Sequence, residues 1–330
     1  MTDLIPTVSR RFVMQAGAAL AAVAATRPAW GQQAPPPVVL LTGTSSGFGR
    51  LMAEGFAASG ARVFASMRET AGRNAPAAEA LRTFATGGPG IAVIDVDVRD
   101  EASVAAGVAE VLAHAGRIDI LVSNAGIVVP GPVEVQTPEQ FAANIETNAL
   151  GALRLYRAVL PSMRAEGSGT IIQMSSALGR AIDPMLGGYC ASKLAVEAAA
   201  DALRYEVAAS GIEVAVVQPA GAYPTRLQEN ALAAWDALVA GLDDQGRERL
   251  AAYGPHIEAM KEGLAPDPAL DPAEVANAAI ALAAMPIGGK PWRLVVGPYA
   301  DGITPVNTAH ELLQTEMISH SPVAPLFALP

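Results

Sequence analysis

From Val38 onward the chain repeats one unit, a short β-branched run followed by a longer alanine-rich segment with helical spacing. Parallel strands need long crossovers, usually helices, so this alternation specifies an α/β fold with a doubly wound parallel sheet. Strands are expected at 38–42, 62–66, 91–94, 119–123, 169–175, 213–217 and 293–296. Several are unbroken apolar runs, as strands covered on both faces require. Helices are expected at 49–59, 75–86, 101–115, 138–167, 188–210 and 272–285. Thr137 is placed to cap the fourth of these, with Pro138 in its first turn.

The rhythm breaks between residues 222 and 270, which read as helix, polar turns and a proline-rich loop. There Leu232, Trp235, Leu238, Val239 and Leu242 share a helical face. Such a stripe either packs on the body or belongs to a lid over an apolar substrate. Arg226, Arg247 and Arg249 nearby read as solvated charges or as a greeting for an acidic group. The expected organisation is a leader at 1–31, a proline-rich linker at 32–37, a Rossmann-like catalytic body at 38–300 and an extension at 301–330. The extension, with Pro305, Pro322 and Pro325, either covers a partner or trails.

The leader carries Arg10-Arg11, an uncharged alanine-rich stretch, then Arg27 and Ala29-Trp30-Gly31. Basic, apolar and small residues in that order are the layout of an export signal, and the arginine pair resembles the twin-arginine (Tat) type. The stretch is too short for a stable membrane span. Cleavage after Gly31 and a periplasmic location are expected, or a cytoplasmic one if the leader is not a signal. Net charge is −10, and no lysine/arginine block is present, which argues against nucleic acid as partner. A single cysteine, Cys190, excludes an intramolecular disulfide framework and a multi-thiolate metal site. The histidines show no metal-ligand spacing. The chemistry must therefore come from other groups.

Gly43, Ser45, Ser46, Gly47, Phe48 and Gly49 form a turn between the first strand and first helix. Glycines there let backbone N–H groups approach a pyrophosphate, and the helix N-terminus adds unpaired donors. A tight turn without ligand would look similar in isolation. After the second strand, where an acid would hold a ribose 2′-hydroxyl, the chain has Met67 and Arg68. A guanidinium suits a 2′-phosphate, so NADP is expected in preference to NAD.

Tyr189 and Lys193 lie four apart on one helical face. A phenol has a pKa near 10, and lowering it by about 3 to make a base at neutral pH costs about 4 kcal/mol. An ammonium about 4–5 Å away at an effective dielectric near 20 supplies roughly 3–4 kcal/mol. Alone, this pair is common on helix surfaces. Together with the glycine turn, Ser123-Asn124-Ala125-Gly126 after the fourth strand, and Ser175-Ser176 after the fifth, it resembles the short-chain dehydrogenase/reductase family over residues 38–296. The resemblance implies an NADP(H)-preferring oxidoreductase that interconverts an alcohol and a carbonyl, and homodimers or homotetramers formed through the helices bearing Asn148 and Tyr189. It assigns Tyr189 as acid/base and Ser176, thirteen residues earlier, as donor to the substrate oxygen. Lys193 becomes the ribose ligand that depresses the phenol pKa, and Asn148 the holder of a relay water. Asp97 and Val98 fall on adenine, Asn124, Ala125 and Gly126 beside adenosine, and Pro219 and Thr225 on the nicotinamide side. Ser123 stands where the family has asparagine, and Ala220 is an extra residue in its Pro-Gly segment. Cys190 reads as a buried, inert thiol. A non-catalytic nucleotide-binding sensor of the same fold is the alternative, as is an epimerase or dehydratase relative. The intact Ser176, Tyr189 and Lys193 set argues against the sensor.

Overall fold

The β-branched runs form seven strands whose alternate side chains enter two separate cores. The computed structural model describes residues 35–84, 89–322 and 324. The leader and its cleavage site lie outside the described residues, as do 325–330 of the extension. The strands are β1 (Val38–Thr42), β2 (Arg62–Met67), β3 (Ile91–Asp95), β4 (Ile120–Ser123), β5 (Gly169–Met174), β6 (Ile212–Pro219) and β7 (Arg293–Val296). Every pairing is parallel, in the order β3-β2-β1-β4-β5-β6-β7. The order reverses between β1 and β4, which opens a crevice beyond their carboxyl ends.

The helices are α1 (Gly47–Ala58), α2 (Ala75–Arg82), α3 (Glu101–Ala115), α4 (Pro138–Ile145), α5 (Gly151–Glu166), α6 (Gly187–Ala208), α7 (Arg226–Ala240), α8 (Asp244–Leu250), α9 (Gly254–Gly263), α10 (Pro272–Ala283) and α11 (Ala300–Ser319). Val39 and Leu41 of β1 pack with Met52, Phe56 and Ile280 on one side of the sheet. Val38 and Leu40 pack with Val104, Leu155 and Val196 on the other. That two-residue alternation is why the strands read as unbroken apolar runs. Thr137 caps α4 in a reciprocal bond pair with Gln140, and Pro138 occupies the first turn.

The helix expected at 138–167 is interrupted by a π-helical turn, Glu146–Leu150, between α4 and α5. The 222–270 insertion folds into α7, α8 and α9. Its apolar stripe is a packing face: Trp235, Leu238 and Leu242 are buried with Val135, Met185 and Met260. The extension contributes α11, a long helix against β7 that the sequence reading left undecided. Among the described residues no helix is long and apolar enough to cross a membrane.

Candidate active site

The turn after β1 is shaped by backbone crowding. Gly43 has φ +72°, and a Cβ there would lie 2.8 Å from the Ala125 Cα. Gly49 is pressed so closely on the Gly43 carbonyl that a Cβ would collide with it. Asn124 secures the same junction, its Nδ2 donating to the Thr42 and Gly43 carbonyls at 2.9 and 3.2 Å. Ser46 occupies the N-cap of α1 but makes no side-chain cap bond, and the first turn holds no acid. The leading N–H groups of α1 are thus left for another acceptor.

This turn forms one wall of a cleft of about 720 Å³. That is in the upper part of the range for small-molecule sites, roughly 300–1,000 Å³. Ser45, Ser46, Gly47, Phe48, Asp97, Val98, Asn124, Ala125, Gly126, Pro219 and Thr225 all line it, as do Ser176, Tyr189 and Lys193. The extra Ala220 does not displace its neighbours. It is buried, and its N–H continues the sheet by donating to Val296 O at 2.8 Å.

Arg68 lines the cleft beyond β2, half-buried, with Arg73 beside it. Burial, then the charges of Arg73 and Arg99, hold the Arg68 pKa below the usual guanidinium value. Such crowding of cations favours an anion among them. Glu69 is turned to Arg73 at 3.2 Å. Asp95 is occupied by Glu69 N and by the N and Oγ1 of Thr70. Asn74 Nδ2 holds the Arg68 carbonyl at 2.7 Å. Arg73 and Asn74 escaped the sequence reading, although a second arginine five residues past Arg68 was available as a signal. Asp97 accepts from Arg99 at 2.6 Å, which keeps its carboxyl at about 2. An open helix N-terminus, a cradle that a Cβ would fill and clustered arginines fit a phosphorylated dinucleotide.

At the other end, Tyr189 is buried on the first turn of α6 and lines the cleft together with Ser176. Ser176 Oγ accepts from Leu178 N at 3.1 Å, leaving its proton to donate. Lys193 Nζ lies 5.6 Å from the Tyr189 ring centre and donates to Met174 O at 3.1 Å. The expected depression of the phenol pKa is not present in this chain alone. Burial pushes Tyr189 up to about 12, partly opposed by Ser176. Burial likewise brings Lys193 down to about 8, opposed by Glu197. Desolvation is the largest cause of both shifts.

Asn148 is placed differently from the other predicted residues. It does not line the cleft. Its Oδ1 accepts from Ile127 N at 2.8 Å, and its Nδ2 donates to Ile127 O and to Ser192 Oγ, both at 2.9 Å. The side chain thus clamps the β4 loop to α6 through the π turn. Cys190 is buried, which raises its thiol pKa. Among the described residues no cluster of histidine, cysteine or acid could hold a metal.

The substrate end is walled by Ile127, Val128 and Val129 and by Leu227, Asn230, Ala233 and Ala234 of α7. The face of α7 toward the cleft therefore carries Arg226, Leu227, Gln228 and Asn230 with Ala233 and Ala234, not the stripe through Trp235, which turns inward.

A family profile described as short chain dehydrogenase matches residues 37–235. The chain is 34% identical over 198 residues to a 3-ketodihydrosphingosine reductase of Bacteroides thetaiotaomicron, covering 59% of this chain and 67% of that one. It is 33% identical over 221 residues to the 17-beta-hydroxysteroid dehydrogenase type 1 of Mus musculus, covering 66% and 63%. The matches thus span about two thirds of these relatives' lengths. A crystal structure of a short-chain dehydrogenase from Streptomyces avermitilis superposes with a TM-score of 0.66 at 30% identity, covering 86% of this chain and 97% of that one.

Proposed function

Because this chain belongs to the short-chain dehydrogenase family, whose members oxidise CH–OH or reduce C=O groups with a nicotinamide cofactor, we propose that it is an NADP(H)-preferring oxidoreductase for an apolar secondary alcohol or ketone. The observation that carries the reading is the convergence of Ser176, Tyr189 and Lys193 on one cleft, with the Lys193 ammonium over the Tyr189 ring at 5.6 Å from its centre.

The nicotinamide cofactor, when bound, supplies the hydride chemistry and, oxidised, a positive charge. Gly43, Ser45, Ser46, Gly47 and the N-terminus of α1 would hold its phosphates, Arg68 and Arg73 its 2′-phosphate, and Asp97 and Val98 its adenine. Thr225 and Pro219 would flank the nicotinamide. Ser176 donates a hydrogen bond to the reacting oxygen and holds it against Tyr189. In the reducing direction Tyr189 delivers its proton to the alkoxide as it forms. With a pKa of about 12 the phenol carries that proton throughout the neutral range, so the chain's own residues prepare it as an acid. Acting as base requires additional positive charge beside it. Lys193 would donate to the ribose of the bound cofactor and supply positive charge beside the phenol.

The apolar wall of Ile127, Val128, Val129 and Leu227 supports a bulky apolar substrate. The relatives whose names specify a sphingoid ketone and a steroid point the same way. Exposed Leu150, Leu153 and Leu194, on the π turn, α5 and α6, support homo-oligomerisation through those helices. Light scattering of the purified protein reads it. Export to the periplasm rests on the leader sequence, and N-terminal sequencing of mature protein tests it. The functional test is NADPH and NADH oxidation against long-chain and polycyclic ketones. Turnover of such ketones with NADPH preferred over NADH supports the reading; turnover that survives Tyr189→Phe sinks the mechanism.

A further inference from the structure

Glu197 stands one helical turn beyond Lys193 on α6, has no exposed surface, and takes no part in the reaction as derived. Its carboxylate gathers four partners from three segments, the loop after β5, β6 and β7. Ser175 Oγ donates at 2.6 Å, Gln218 Nε2 at 2.7 Å and Arg293 Nε at 3.0 Å, and Arg180 Nη2 forms an ion pair at 3.0 Å without a hydrogen bond. Ser175 immediately precedes Ser176, and Arg180 lies four residues past it. Gly179 crowds the carboxylate so closely that a Cβ there would collide with it.

The far side of this cluster is closed by the C-terminal helix. Asn307 accepts from Arg180 Nε at 3.0 Å and donates to Gln218 Oε1 at 2.7 Å. His310 Nε2 lies 3.0 Å from Asp201, which also pairs with Arg293. Glu311 lies 3.6 Å from Arg293. One rigid network thus runs from α11 to the residue beside Ser176.

We propose that Glu197 is a positioning residue for the reaction: it fixes Ser176 through Ser175 and the Arg180 loop, provides the buried counter-charge for Lys193, and is braced by Asn307 of the C-terminal helix. This rests on the functional reading above, since it assigns the cluster a duty toward Ser176 and Lys193. A buried carboxylate with three donors and a second guanidinium 3.0 Å away cannot rearrange without leaving charges unpaired, so its neighbours hold one geometry. The charged groups facing it are Lys193 and Asp201 on its own helix, Arg180 from the loop after β5, and Arg293 from β7. His310 and Glu311 stand behind Asp201 and Arg293. Glu197 is also the charge that raises Lys193 against the effect of burial.

The test compares Glu197→Gln, which keeps the length and removes the charge, with Asn307→Ala, which loosens the brace. Ketone reduction, thermal melting, and the pH dependence of NADPH affinity by fluorescence titration are measured for each. Glu197→Gln is expected to lower kcat at least tenfold with KM within twofold. The pH at which NADPH binding weakens is expected to fall by about one, because Lys193 loses its proton earlier. Asn307→Ala is expected to lower kcat about threefold. A lower melting temperature with unchanged kcat and unchanged binding midpoint would overturn the proposal. If Glu197→Gln does not fold, Glu197→Asp decides. It keeps the charge but is too short for Ser175, so lost kcat with a retained midpoint supports the proposal and full kcat refutes it. If the wild-type protein reduces no ketone, the functional reading fails, while the binding midpoint still decides whether Glu197 governs Lys193.

Discussion

The Lys193 ammonium lies 5.6 Å from the centre of the Tyr189 ring and is bound to the Met174 carbonyl, not to the phenol oxygen. The two residues share a helical face, and burial is the largest influence on the titration of each. Tyr189 therefore stands at about 12 and Lys193 at about 8.

Tyr189→Phe should reduce ketone turnover by at least a thousandfold, and Ser176→Ala by roughly a hundredfold, the range for a lost acid and a lost oxyanion donor. NADPH affinity should stay within threefold in both. Steady-state kinetics paired with fluorescence titration checks this. An active Tyr189→Phe enzyme would refute the assignment.

Ketone reduction should decline as pH rises through about 8, where Lys193 loses its proton while Tyr189 is still neutral. The sign follows from burial. A lysine held below its ordinary value is charged only under its folded pKa, so a cationic contact with a bound ribose would be present at pH 6–7 and lost at pH 9–10. A kcat/KM profile flat from pH 7 to 10 contradicts this.

Burial of Lys193 as a cation also costs stability. The unfolded chain binds that proton up to its ordinary pKa, so stability through this group rises as pH climbs from about 8 toward the unfolded value. Lys193→Met should accordingly stabilise the fold at pH 7 by roughly 1–3 kcal/mol. The same variant should lose turnover. Denaturant melts at pH 7 provide the measurement, and a destabilised variant is the contrary outcome.

Arg68→Ala should weaken NADPH binding by roughly tenfold to a hundredfold, as expected for a lost charge-assisted phosphate contact of about 1.5–3 kcal/mol. NADH binding should change less than threefold. Calorimetry with both cofactors separates the two, and equal losses would remove the 2′-phosphate role from Arg68.

Asn148→Ala removes three buried hydrogen bonds and leaves both backbone groups of Ile127 without a partner. A loss of roughly 2–4 kcal/mol of stability is expected. Chemical denaturation reads it directly. A variant as stable as wild type, but inactive, would instead favour a purely catalytic duty for this asparagine.

Features that depend on local periodicity and spacing were legible in the chain itself. Apolar runs such as Val38–Thr42 and Arg293–Val296 read as strands because both sheet faces demand them. The glycine turn, Thr137 as a cap, and Tyr189 with Lys193 on one face follow from backbone geometry within a few residues. Even Ser176, distant from Tyr189 in the chain, was found from its interval within a resemblance.

Tertiary packing alone decided the rest, because burial and charge pairing are set by residues far apart in sequence. It turned the Trp235 stripe inward and gave Ala233 and Ala234 to the cleft. It committed Asn148 to Ile127, and it buried Tyr189, so that in the chain alone desolvation raises the phenol pKa. It also drew Glu197, Arg180, Arg293 and Asn307 from four regions into one buried network. No spacing rule joins those four residues. Only the fold brings their charges within reach of one another.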